Sequence, residues 1–140
     1  MSDLTAFLNP AYSEKRVTFT IGDRFLDENG EPIKLIMRSI SQEELDAIGR
    51  RSTHTIDVGG SKVEKLDEDE YISRCIVASM VFPDLTNREI CLKCKTEDPV
   101  YVPRRLFLPP EYKKISSIFG GLHGVDPDER LSSLGEVTKN

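Results

Sequence analysis

Residues 16–40 read RVTFTIGDRFLDENGEPIKLIMRSI, and this stretch decides the fold class. From residue 16 to residue 21 the pattern alternates. Val17, Phe19 and Ile21 fall on one face and Thr18 and Thr20 on the other, the period of a half-buried strand. A second apolar run spans about residues 33–40. Between them, Asp27-Glu28-Asn29-Gly30-Glu31-Pro32 supplies residues that tolerate positive φ and so permits a tight reversal. The pair predicts a β-hairpin.

C-terminal to the hairpin the period becomes helical. Ser41-Gln42-Glu43-Glu44 has the form of a capping box, in which hydroxyl and carboxylate satisfy each other's orphan N–H groups. It predicts a helix with Leu45 and Ile48 on its apolar side, fading at Arg50 and Arg51, whose charge suits a helix C-terminus. Residues 52–62 are polar, contain Gly59-Gly60 and show no strong period, so they predict a loop, with residues 53–58 as a possible short strand. Asp67-Glu68-Asp69-Glu70 puts acid where a helix N-terminus favours it. The helix that follows carries Tyr71, Cys75, Ala78 and Phe82 on one stripe with Ile72, Ile76 and Ser79 beside it, until Pro83 ends it.

Thr86 or Asn87 can cap a short helix through Cys94, after which Pro99 and Pro103 bracket residues 100–102 as an extended connector. A brief turn over residues 104–108 leads to Pro109-Pro110, suited to a first helical turn, and to a stripe of Tyr112, Ile115, Ile118 and Phe119 that Gly120-Gly121 closes. At the other end, Ser2 can cap a short helix over residues 3–8, with Leu4, Phe7 and Leu8 at helical spacing before Asn9-Pro10, a candidate docking arm. Residues 122–140 are polar and acidic, with only Leu131 and Leu134 spaced for a weak helix. The expected fold is α+β: an N-terminal β-hairpin followed by a small cluster of α-helices. It forms a single domain over residues 1–120, with a flexible tail over 121–140.

A chain of 140 residues suits one domain, which at this size buries roughly two-thirds of its unfolded surface. Hydrophobic residues at 38% and charged residues at 31% describe a packed core under a heavily charged surface. A net charge of -5 and a pI near 5.1 oppose binding to a phosphate backbone, so no nucleic-acid partner is expected. The longest apolar stretch, residues 76–82, falls far short of the ~20 residues that span a bilayer. Neither a membrane span nor a secretion signal is expected, and three cysteines suit a reducing cytoplasm better than a disulfide framework.

Cys91-Leu92-Lys93-Cys94 is the sharpest chemical motif, because a Cys-x-x-Cys pair can chelate metal or form a redox disulfide. The further ligands a zinc site needs would be Cys75, His54 and His123, at spacings unlike a ribbon or finger, so small buried hydrophobes are the simpler reading. There is no Gly-x-Ser-x-Gly elbow and no Gly-x-x-x-x-Gly-Lys cradle. The acidic run over residues 64–70 lacks EF-hand spacing. Arg104-Arg105 and Lys113-Lys114 form a modest basic cluster without interleaved aromatics. No catalytic residue, cofactor or metal is expected.

Five segments, in order, resemble the XkdN-like tail assembly chaperones of tailed bacteriophages and prophages. They are Asp3-Leu4-Thr5-Ala6-Phe7-Leu8; Arg24-Phe25-Leu26-Asp27-Glu28-Asn29-Gly30-Glu31-Pro32; Arg38-Ser39-Ile40-Ser41-Gln42-Glu43-Glu44; Phe82-Pro83-Asp84-Leu85-Thr86-Asn87; and Leu108-Pro109-Pro110-Glu111-Tyr112. Residues 91–103, with two prolines, depart from the longer helical stretch such proteins tend to carry. The resemblance implies a non-enzymatic protein of the bacterial host cytoplasm that holds the tape-measure protein soluble during tail assembly and is absent from the mature virion. It leaves room for other tail proteins as partners and for self-association. The alternative is a structural tail or neck protein of the virion. For the partner surface the amphipathic C-terminal helix and its approach offer Leu106, Phe107, Leu108, Tyr112, Ile115 and Phe119, residues that could equally be core.

Overall fold

A computed structural model describes residues 3–124 and has the α+β architecture. The chain runs α1 (Leu4–Leu8), β1 (Arg16–Phe19), β2 (Leu35–Arg38), α2 (Gln42–Arg51), β3 (Thr53–Val58) and β4 (Ser61–Leu66). It continues as α3 (Glu68–Ser79), β5 (Met80–Phe82), α4 (Arg88–Lys93), a 3-10 turn (Pro99–Tyr101), α5 (Val102–Leu106) and α6 (Pro109–Leu122).

The predicted hairpin is present: β1 and β2 pair antiparallel from Arg16↔Arg38 to Phe19↔Leu35. Its reversal is held by Asp27, whose carboxylate accepts the Asn29 and Glu31 N–H groups at 2.8 and 3.0 Å, and by Gly30 at φ +78. β5 extends the hairpin to a three-stranded sheet of order β1-β2-β5. This corrects the expectation that the helix of residues 71–82 runs to Pro83: it stops at Ser79, and Met80 and Phe82 pair with Met37 and Ile36. A central β2 needs partners for its main-chain groups on both edges, and that demand outweighs three more residues of helix. Phe82 consequently leaves the apolar stripe and is largely exposed.

Of the two readings of residues 52–62, the short strand over residues 53–58 is present rather than the loop: it is β3 of a second hairpin, β3–β4, paired from Thr53↔Leu66 to Val58↔Ser61. Gly59 and Gly60, at φ +58 and +87, form the doubly left-handed turn whose twist matches a two-residue hairpin. The expected extended connector at residues 100–102 is also helical. Asp98 accepts the Val100 N–H at 3.0 Å to start the 3-10 turn, and Pro103 sits in the first turn of α5, where its missing N–H costs nothing. Nor do Gly120-Gly121 close the last helix. α6 passes through them to Leu122, with Gly120 buried. The expected tail and its Leu131–Leu134 pattern lie outside the described residues from 125 onward, as does the capping of α1 by Ser2.

Other helix starts follow the sequence. Ser41 Oγ accepts the Glu44 N–H and Asp67 accepts the Glu70 N–H, each at 3.1 Å, while Asn87 caps α4. The reciprocal half of the expected capping box is not made, because Glu44 turns its carboxylate to Arg38 at 3.2 Å instead of to the Ser41 N–H. The core lies where α3 and α6 cover the sheet: Leu35, Met37, Ile76, Leu85, Val102 and Ile115 are essentially inaccessible to solvent. Each large apolar side chain buried there contributes about 1.5–3 kcal/mol. Cys75 joins Ile40 and Ile48 in a smaller cluster under α2.

Candidate partner-binding surface

Two segments distant in sequence fix the approach to α6. Arg24, just before the reversal of the first hairpin, donates from Nε and Nη2 to the two carboxylate oxygens of Glu111 at 3.0 and 2.8 Å, and from Nη2 to the Leu106 carbonyl at 2.6 Å. Glu111 also accepts the Leu108 N–H at 2.8 Å, capping the helix from within. The Arg24 guanidinium lies 4.5 Å over the Phe25 ring, and Phe25 meets Phe107 edge-on at 5.9 Å. The hydrogen bonds from Arg24 hold the buried Glu111 carboxyl below its ordinary range, against the opposing effect of burial. The Arg-Phe and Pro-Pro-Glu-Tyr segments of the resemblance are thus two halves of one clasp.

That clasp divides the six residues expected at a partner surface. Ile115 is 0% exposed and Phe107 7%, both inside the main core. Leu106, Tyr112 and Phe119 are half-buried and pack against that core, while Leu108 is 50% exposed at the N-terminus of α6. The stripe of α6 therefore closes the domain, and Leu108 alone of the six projects largely into solvent.

One other surface carries accessible apolar groups, and sequence reasoning identified it. The expected arm α1 buries none of its residues, and Phe7 is 83% exposed, with Leu8 and Tyr12 also exposed nearby. Separately, a cleft of about 460 Å³ lies between α2, the continuous α3–β5 segment, the turn at Asp84 and Thr86, and the 3-10 turn. Ile48, Val77, Met80 and Val100 line it with Arg74 and Asp98, which face one another at 3.9 Å. No local pattern could have announced this cleft, because its walls come from four separate segments.

Cys91 and Cys94 are both buried in the main core, Cys91 Sγ meeting the Leu85 carbonyl at 3.6 Å. Burial pushes the Cys94 thiol up, away from the thiolate that nucleophilic or redox chemistry needs. Among the described residues no group of three or more His, Cys, Asp and Glu side chains is placed to hold a metal ion. The arginines of the basic cluster are engaged: Arg104 pairs with Asp69 at 2.9 Å, and Arg105 donates to the Cys94 and Lys95 carbonyls at 3.0 and 2.9 Å.

Similarity to known proteins runs over nearly the whole chain. Residues 4–133 match the model of the phage XkdN-like tail assembly chaperone proteins. The chain is 30% identical to protein YqbN of Bacillus subtilis (strain 168), over 99% of this chain and 93% of that protein. It is 28% identical to the phage-like element PBSX protein XkdN of the same organism, over 99% and 94%. The crystal structure of YqbN superposes with a TM-score of 0.75 at 26% identity, covering 90% of this chain and 99% of that one. With the family model matched over residues 4–133, relatives aligned over 99% of the chain and a shared fold, this chain belongs to the phage XkdN-like tail assembly chaperone family.

Proposed function

We propose that the chain is a non-catalytic holdase of tail assembly. It binds the tape-measure protein of its phage or prophage and keeps that long chain soluble in the cytoplasm of the bacterial host until the tail tube forms around it. It is then left out of the finished particle. The observation that carries this reading is α1, a Leu-Thr-Ala-Phe-Leu helix of which no residue is buried, joined by the exposed Leu108 at the start of α6. Apolar groups displayed in this way lose contact with water only when a partner covers them. The net charge of -5 keeps such a surface soluble between encounters.

Co-expression with the cognate tape-measure protein tests the proposal. A soluble complex that co-purifies is expected, with the tape-measure protein aggregating when this chain is omitted. A tape-measure protein that is equally soluble and uncomplexed alone removes the holdase role. Mass spectrometry of purified particles is expected to lack this chain; its presence in stoichiometric amount would make it a structural component of the virion.

A further inference from the structure

We propose that the outer edge of β4, which no strand among the described residues pairs, joins antiparallel with β4 of a second copy of this chain, making two hairpins one sheet of order β3-β4-β4-β3. The β3–β4 hairpin packs little of itself against the domain: no residue of either strand is buried, and Ile56, Val58 and Val63 are exposed. A two-stranded ribbon alone in water is marginally stable and presents unpaired main-chain groups along both edges.

The ladder shows which groups point outward. The Asp67 N–H donates to the Ser52 carbonyl at 2.8 Å, so the hydrogen-bonded pairs inside the hairpin are Ser52/Asp67, His54/Lys65, Ile56/Val63 and Val58/Ser61. Lys62, Glu64 and Leu66 therefore turn their N–H and C=O groups to the outer edge of β4. A second β4 related by a two-fold axis must pair these outward residues with one another.

Charge selects the register. An axis at Lys62 or at Glu64 sets like charges face to face, which is unfavourable. An axis at Val63 sets Lys62 opposite Glu64 of the second copy and Glu64 opposite its Lys62. On that face the order across the sheet becomes Asp57, Lys62, Glu64, Thr55, since Asp57 already opposes Lys62 and Thr55 opposes Glu64 within each hairpin. The other face then lines up Ile56, Val63, Val63, Ile56 as a continuous apolar row. The edge of β3 offers no such match, because Thr53, Thr55 and Asp57 include a single charge.

Sedimentation of the full chain at concentrations up to about 0.5 mM, where small interfaces associate, tests this. A mass rising from 15.8 kDa toward twice that value is expected. Lys62→Glu and Glu64→Lys should each weaken self-association about tenfold or more, as two cross-strand pairs change from attraction to repulsion. Their equimolar mixture should recover the dimer, because one strand then carries both acids and the other both bases. Circular dichroism should show unchanged fold, both residues being exposed. A wild type that stays monomeric throughout overturns the proposal. So does self-association indifferent to the single variants, and so do variants whose mixture fails to dimerise.

Discussion

The imidazole of His123 joins the end of α6 to the end of β2: Nε2 accepts the Ile40 N–H at 2.9 Å, while Nδ1 donates to the Phe119 carbonyl at 2.8 Å. Only a neutral ring can both accept and donate, so the protein binds His123 as the Nδ1–H tautomer. The ring also stacks on Phe119 at 4.1 Å. His123→Ala strands the main-chain donor of the buried Ile40 and should cost about 2 kcal/mol in urea unfolding. An unchanged midpoint would mean that water replaces the ring without loss.

Arg24→Ala should cost about 2 kcal/mol, less than the about 3–5 kcal/mol of a fully buried pair, because the Arg24 side chain is 41% exposed. The pH dependence follows from Glu111, whose folded value lies below its ordinary 4.5 chiefly through the Arg24 hydrogen bond. Its contribution is complete above about 4.5 and is lost as pH falls through the depressed folded value. Unfolding free energies measured downward from pH 6 should decline less steeply below that point in Glu111→Gln than in the wild type.

Lys95 adopts φ +56 at the end of α4, where its N–H reaches the Leu92 carbonyl and the Thr96 N–H reaches the Cys91 carbonyl. These bonds form a Schellman closure, whose left-handed position favours glycine. Lys95→Gly is expected to raise stability by about 0.5–1 kcal/mol, read from the thermal midpoint. A lower midpoint would show that the lysine side chain contributes more than the strained backbone costs.

Ile115→Ala, at a fully buried position, should cost about 2–5 kcal/mol. Leu108→Asp should cost far less, because the side chain is half exposed and Asp is a favoured residue at the N-cap position of α6. Denaturant titration of the two variants separates core from surface along this segment.

Phe7→Asp should not change the unfolding midpoint, given that no residue of α1 is buried. It should reduce the amount of soluble tape-measure protein recovered on co-expression. Full recovery with this variant would remove α1 from the contact surface.

The sequence by itself determined the elements whose signal is local. The alternation over residues 16–21, the second apolar run over residues 33–40, the reversal at Asp27-Gly30, the acid at the start of α3, the cap at Ser41 and the helix start at Thr86 or Asn87 all appear where their residue chemistry puts them, Asn87 being the residue that caps. Family membership was legible for the same reason, since its segments are contiguous and ordered. Tertiary structure decided what depends on distant partners. Met80–Phe82 became a strand because β2 offered it an edge, and residues 71–82 alone look like continuous helix. The stripe of α6 became core because α3 and the sheet cover it, a choice amphipathicity cannot make between burial and display. Arg24 and Glu111, 87 residues apart, became one clasp because folding brings a guanidinium and a buried carboxylate together. The cleft has four walls from four segments and no local signature. Spacing sets period and capping within a few residues, whereas burial, pairing and charge partnership are fixed only when separate segments share one interior.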